Sequence, residues 1–313
     1  MSRYLVTGGA GFIGCNLVRF ILSKGGEVVV LDNLATGKRE NLADVMDRIE
    51  FVEGDIRDRA AVDSVMSGCS AVFHLGALGS VPRSMADPLT SHDVNVNGTV
   101  TVLESARAAD VKRVVFSASS SAYGDQKTSP KHEGMLSMPI SPYAANKVCC
   151  EFYMQAYAAA FGMETLCLRY FNVFGPYQDP NGAYAAVIPA FVSRLLAGET
   201  PVVYGDGEQS RDFCYIDNVC NANWLAANAD PAVCTGQVAN IACNHATSLN
   251  QILELLHELL KVDIQADYQP RRPGDVKDSL ADVSRAREII GYEPLVYFEE
   301  GLRKAIDWYK ENL

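Results

Sequence analysis

Metal-binding patterns are missing from this chain. Its five histidines (His74, His92, His132, His245 and His257) are scattered without ligand spacing, and its nine cysteines contain no Cys-x-x-Cys pair, so no metal is expected. The cysteine count is odd, and Cys15, Cys149, Cys150 and Cys167 fall inside apolar helix or strand patterns. That argues against a disulfide framework and for buried thiols in a reducing compartment. Basic clusters are scarce as well. The formal net charge is −11, which speaks against a nucleic-acid or anionic-membrane surface while leaving room for a local phosphate site. No apolar run is long enough to span a bilayer, and there is no internal repeat or low-complexity linker. Met1-Ser2 run directly into a strand and a glycine motif without a leader-like stretch, so a cytoplasmic protein is the expectation.

What is present is the texture of a globular protein, with 48% hydrophobic and 21% charged residues over 313 positions, enough for two lobes or one large α/β unit. A short apolar strand over Arg3 to Thr7 leads into Gly8-Gly9-Ala10-Gly11-Phe12-Ile13-Gly14 and an amphipathic helix that ends at Gly25-Gly26. Val28 to Leu31 is a continuous apolar run, as in a strand buried on both faces, and it ends at Asp32. Further strands are expected at Ile49 to Glu53, Ala71 to Leu75, Arg113 to Ser117 and Thr165 to Arg169. With helical patterns between them, the alternation predicts an α/β fold with a parallel sheet covered by helices on both sides. After Tyr170 the chain becomes irregular and rich in Gly, Pro and Asn (Asn172 to Gly182), and a terminal helix is expected from about Phe298.

Gly8, Gly11 and Gly14 follow a strand and open a helix, so backbone N–H groups can approach a pyrophosphate without interference from a Cβ. Asp32, at the end of the next strand, is placed to accept from both adenosine ribose hydroxyls and to repel a 2′-phosphate, which favours NAD over NADP. Asp55 ends the third strand, where it either meets the adenine amino group or caps the next helix. Leu75, Gly76 and Ala77 end the fourth strand with small residues suited to a nicotinamide ribose. The hydroxyls of Ser117-Ala118-Ser119-Ser120-Ser121 end the fifth, on the sheet edge where open α/β folds bind ligands.

Ser141-Pro142-Tyr143-Ala144-Ala145-Asn146-Lys147 reads as a helix start, with Ser141 as N-cap and Pro142 in the first helical position. Tyr143 and Lys147 are four apart and share a helix face. A phenol titrates near pH 10, and bringing it to neutrality takes roughly 4 kcal/mol, which a fixed ammonium beside it supplies.

Thr7 to Gly14, Asp93-Val94-Asn95-Val96-Asn97-Gly98-Thr99, Ser141 to Lys147, Leu168-Arg169-Tyr170-Phe171-Asn172 and Arg271-Arg272-Pro273-Gly274-Asp275 occur in an order that resembles the extended short-chain dehydrogenase/reductase superfamily. Within it the chain is similar to UDP-hexose 4-epimerases, in particular those acting on UDP-N-acetylglucosamine. The resemblance implies a Rossmann-type doubly wound parallel sheet with a smaller α/β substrate lobe. Residues 1–171 would form the NAD-binding domain, with about 211–243 returning to it, and 172–210 with 244–313 would bind the UDP-sugar. It implies Ser119, Tyr143 and Lys147 as catalytic, and Phe12, Ile13, Asn33, Ile56, Asn95 and Tyr170 as joining the glycines, Asp32, Asp55 and Leu75 to Ala77 around NAD. Around the substrate it implies Gly79, Ser80, Ser119, Ser121, Tyr143, Asn172, Ala186, Val187, Arg211, Arg272, Asp275 and Ser279.

On this reading Tyr143 takes the proton of the sugar 4-hydroxyl and the 4-keto sugar turns over in the site. UDP-GlcNAc and UDP-GalNAc are then interconverted, with UDP-glucose and UDP-galactose as a second pair. Small Ser279, Gly79 and Ala186 resemble the subgroup that admits a 2-acetamido group. A 4,6-dehydratase is the near rival, but related dehydratases carry an Asp-Glu pair where this chain has Ser120 and Ser121. A UDP-glucuronate 4-epimerase and an NAD-binding regulator without catalysis are further alternatives. Apolar residues from Val148 to Phe161 and from about Val100 to Ala109 exceed what one helix face against a sheet requires, and the resemblance implies a homodimer paired through those two helices.

Overall fold

Strand β1 (Arg3–Thr7) lies between β4 and β2 inside a seven-stranded sheet whose order, numbered along the chain, is β7-β6-β5-β4-β1-β2-β3, every pair parallel. The other strands are β2 (Glu27–Asp32), β3 (Glu50–Glu53), β4 (Cys69–His74), β5 (Arg113–Ser119), β6 (Glu164–Tyr170) and β7 (Gln237–Ile241). The computed structural model describes residues 2–179, 187–271 and 278–312. This is the doubly wound α/β sheet expected from the alternating pattern; strands β1 to β6 begin and end within two residues of the sequence estimates, and β7 had no estimate.

Burial on both faces explains the unbroken apolar runs. In β2, Val28 and Val30 belong to one core and Val29 and Leu31 to the other. The first core is covered by α1 (Phe12–Ser23), through Leu17, Val18 and Ile21, and by the later helix Ile216–Asn228. The second is covered by α2 (Arg59–Met66), α3 (Gly98–Ala108) and α4 (Pro142–Phe161), through residues such as Val62, Leu103 and Met154. Each fully buried aliphatic side chain contributes about 1.5–3 kcal/mol. α3 is preceded by a π-helical turn, Asp93–Asn97, that periodicity did not reveal.

Several of the later segments build a smaller body around a second sheet. Ser210–Asp212 is the central strand of a three-stranded sheet, with Ala246–Ser248 antiparallel on one side and Asp278–Ser279 parallel on the other. Helices Val187–Leu196, Leu249–Leu260 and Phe298–Asn312 pack around it. Leu249–Leu260 opens on a capping box, in which Ser248 accepts from Gln251 N and the Gln251 side chain accepts from Ser248 N. One buried carboxylate holds this body together. Asp212 accepts from Cys243 N at 2.9 Å with one oxygen and from Ala281 N at 3.1 Å with the other, catching the chain on both sides of its strand. Burial pushes Asp212 up to about 6.

All nine cysteines are free thiols, eight of them buried and Cys149 partly so. Among the described residues no helix is long and apolar enough to cross a membrane, and no cluster of His, Cys, Asp or Glu is arranged to hold a metal ion.

Candidate active site

The glycine turn is built for close backbone approach. Gly8 has φ +71°, in the region that favours glycine, and a Cβ on Gly14 would lie 2.1 Å from Gly8 O. Gly11 is the N-cap of α1 and provides no side-chain acceptor, so the first-turn N–H groups face outward for an anion. A cavity of about 590 Å³ opens there, lined by Gly8, Gly11, Phe12, Ile13 and Gly14 on one side and by Leu75, Gly76, Ala77, Gly79 and Ser80 on the other. Asp32, Asn33 and Ile56 line it as well.

Asp32 is buried, with Oδ2 accepting from Ala10 N at 2.9 Å and Oδ1 from Leu34 N at 2.8 Å. Burial raises its pKa, the two backbone donors oppose that rise, and each oxygen keeps a lone pair for a ribose hydroxyl. Glycine cradle, open helix end and terminal carboxylate together fit NAD.

Asp55 has other partners. It accepts from Arg57 N and the Arg57 guanidinium and from Asn33 Nδ2, and Arg57 also bonds Asp93. The Arg57 contact holds the Asp55 carboxyl down at about 2. Asn95 is buried in the π-helical turn, where its side chain grips the backbone of Leu78, accepting from N at 2.7 Å and donating to O at 3.3 Å. Tyr170, buried at the end of β6, exchanges hydrogen bonds with the Asn223 side chain.

Tyr143 and Lys147 stand in the first turns of α4 as their spacing implies. Ser141 caps the helix by accepting from Ala144 N at 3.2 Å, and the Tyr143 N–H, which no helical carbonyl can reach, donates to Ser84 Oγ at 3.0 Å. Lys147 is 3% exposed, with Nζ donating to Ser117 O at 2.6 Å and lying 6.0 Å from the centre of the Tyr143 ring. Burial pulls the ammonium down to about 8. The phenol departs from the sequence expectation: burial pushes its pKa up, and the neighbouring Ser119 side chain only partly opposes that. The buried ammonium is directed at the end of β5, not at the phenol oxygen. Ser119 Oγ in turn accepts from Ser121 Oγ at 2.9 Å.

A second cavity of about 400 Å³ lies in the smaller body and brings together Asn172, Val187 and Arg211 with Phe174, Tyr204 and Phe213. Asn172 has φ +33° and donates to Asp212 O at 3.1 Å. Ser279 is paired with Arg211 in the parallel strand register. Ala186, Arg272 and Asp275 lie outside the described residues. Sequence reasoning did not name Arg83, Thr36, Thr90 or Asp179, which also line the first cavity. Arg83 carried a local signal, since Ser80 caps the short helix Val81–Ala86 by accepting from Arg83 N at 3.2 Å; the other three reach the cavity only through the fold.

This geometry has relatives. A profile of the NAD dependent epimerase/dehydratase family matches residues 4–242. The solved structure of a UDP-N-acetylglucosamine 4-epimerase from Methanobrevibacter ruminantium M1, in complex with UDP-N-acetylmuramic acid, is 39% identical with a TM-score of 0.94, covering 100% of this chain and 99% of that one. A UDP-glucose 4-epimerase of Thermus thermophilus, solved in complex with NAD, is 34% identical with a TM-score of 0.89, covering 99% and 100% of the two chains. A curated relative, the UDP-glucose 4-epimerase of Mycolicibacterium smegmatis, is 38% identical over 319 residues and 99% of each chain. With most of its length inside the family profile and a cavity whose walls suit the dinucleotide, the chain belongs to the NAD dependent epimerase/dehydratase family, an extended short-chain dehydrogenase/reductase with NAD as its cofactor.

Proposed function

We propose that this protein is a cytoplasmic UDP-hexose 4-epimerase of polysaccharide biosynthesis that works best on UDP-GlcNAc and UDP-GalNAc. The observation that carries the reading is the gathering of Tyr143, Lys147 and Ser119 at the carboxyl edge of β5, with the Lys147 ammonium 6.0 Å from the Tyr143 ring and bonded to Ser117 O. Residues 1–171 with about 211–243 mainly serve NAD, and 172–210 with 244–313 mainly serve the UDP-sugar, to which Arg211 at the boundary also belongs. Tyr143 takes the proton of the sugar 4-hydroxyl, with Ser119 as relay, and returns it after the 4-keto sugar has turned over. Burial opposes the phenolate, and the Lys147 ammonium, 6.0 Å from the ring centre, is the positive charge available to favour it when the proton is taken. When bound, NAD supplies the acceptor and then the donor of the C4 hydride. Ser120 and Ser121 have no acid/base capacity at neutral pH, which supports epimerisation over dehydration.

The preference for a 2-acetamido sugar rests on small residues. A Cβ on Gly79 would meet nothing within 4 Å, so its absence leaves open space in the cavity without being required by the backbone. Ser279 runs beside Arg211, which lines the second cavity. The test is Ser279→Tyr with UDP-GlcNAc and UDP-glucose as substrates. Selective loss of UDP-GlcNAc turnover is expected, because a packed pocket relieves steric overlap poorly. Near wild-type turnover of UDP-GlcNAc by this variant would sink the substrate assignment.

A homodimer belongs to the same proposal. Phe152 is 63% and Phe161 54% exposed on α4, and Tyr153 is also uncovered, an apolar surface larger than a lone helix face requires. α3 packs next to α4 and completes the face through which two copies would pair.

A further inference from the structure

Behind the dinucleotide cavity, His74 ends β4 opposite Thr7 of β1 and is 1% exposed. Its ring is bonded on both sides, with Nδ1 at 2.7 Å from Thr7 Oγ1 and Nε2 at 3.0 Å from Thr99 Oγ1. The ends of this chain set its direction. Thr99 donates its one hydroxyl hydrogen to the Asn95 carbonyl at 2.6 Å, and a carbonyl can only accept. Thr99 must therefore accept from the imidazole, and the hydrogen resides on Nε2. In the neutral ring Nδ1 is then an acceptor, so Thr7 donates to it and uses its own lone pair to receive Gly76 N–H at 3.1 Å.

The imidazolium is disfavoured from every side. Thr7 faces the ring from β1, Phe116 from β5 with ring centroids 5.6 Å apart, and Thr99 from α3. Cys150 on α4 donates to the Asn95 carbonyl, and the charged group bearing on the ring is the Lys147 ammonium, which also lies over the Phe116 ring. Burial, with the Lys147 charge, takes His74 down to about 3.

Both ends of the relay reach functional walls. Gly76 lines the dinucleotide cavity, and Asn95 holds Leu78 through its side chain. The Asn95 carbonyl meanwhile receives Cys150 Sγ at 3.2 Å, three residues beyond Lys147 on the same helix. We propose that His74 is a positioning residue for the reaction, a neutral imidazole in the Nε2–H form whose two hydrogen bonds hold the Gly76–Leu78 wall against the helix carrying Tyr143 and Lys147. Only where turnover is measured does this rest on the epimerase reading.

Nitrogen-15 NMR of histidine-labelled holoenzyme tests the tautomer, with the His74 signals assigned by replacing His92, His132, His245 and His257 in turn. A proton on Nε2 and none on Nδ1, unchanged between about pH 5.5 and 8, is expected; a proton on Nδ1 or on both nitrogens overturns the proposal. Two variants then divide the relay. His74→Asn retains an acceptor near the Nδ1 position for Thr7, and His74→Gln retains a donor near the Nε2 position for Thr99. Bound NAD should survive gel filtration in His74→Asn, while kcat falls about tenfold, the rate equivalent of one net hydrogen bond. In His74→Gln NAD should dissociate about tenfold faster, since Gly76 loses its anchor. In both, KM for the UDP-sugar should stay within about twofold, because the second cavity is untouched. Identical effects of the two variants on NAD retention and kcat, or a rise in KM, would reduce His74 to a core packing residue. The NMR result on the wild-type chain decides the matter even where a variant does not fold.

Discussion

Replacing Lys147 by methionine keeps an unbranched side chain of similar length while deleting the ammonium. With Nζ 6.0 Å from the centre of the Tyr143 ring and an effective dielectric of ~20, the attraction between ammonium and phenolate is about 3 kcal/mol. That energy corresponds to about a hundredfold in the phenolate population. Burial already pushes the phenol above its ordinary value, and the neighbouring Ser119 side chain does not reverse this, so no other described group replaces the lost charge. Measured as kcat on NAD-saturated protein, Lys147→Met should fall about a hundredfold near pH 7 and recover about tenfold for each pH unit above it, as the phenol ionises unaided. Lys147 itself titrates at about 8, so the wild type sheds the same ammonium above that pH and the two profiles should converge. The sign is fixed: a charged Lys147 favours the phenolate, and its loss, by mutation or by alkali, disfavours it. A deficit that stays constant from about pH 6 to 10 would refute an electrostatic role and leave only a positional one.

Tyr143→Phe keeps the ring and removes the proton acceptor, so turnover should drop at least about a hundredfold with NAD still bound; more than about one per cent residual activity counts against the base. Gly14→Ala places a methyl 2.1 Å from a backbone oxygen that cannot step aside, and the variant should emerge from purification depleted of NAD and destabilised by about 1–3 kcal/mol in thermal unfolding. Full cofactor occupancy in that protein would contradict the close approach. Light scattering at micromolar concentration should give a dimer mass, and Phe152→Lys should shift it toward the monomer, whereas a monomeric wild type rules the pairing out.

Much of this protein is decided by signals shorter than about ten residues. Strands β1 to β6 followed from apolar runs, the glycine turn from three glycines between strand and helix, and the start of α4 from Ser141, Pro142 and the spacing of Tyr143 and Lys147, because period, capping and dihedral preference act locally. Asp32 was readable for the same reason: a carboxylate ending the second strand has only the cavity to face. Contacts between distant segments were decided by tertiary structure alone. Arg57 and Asp93 claim the carboxylate region around Asp55, Ser84 receives the orphan N–H of Tyr143, and the Lys147 ammonium is drawn to Ser117 O by a fold that buries it. The register that sets Ser279 beside Arg211 joins two distant segments, and the relay through His74 reaches 67 positions back to Thr7 and 25 forward to Thr99. A histidine in an apolar strand has no local feature that announces its tautomer; only the packed threonines on either side, and the carbonyl that commits one of them, settle where its proton resides.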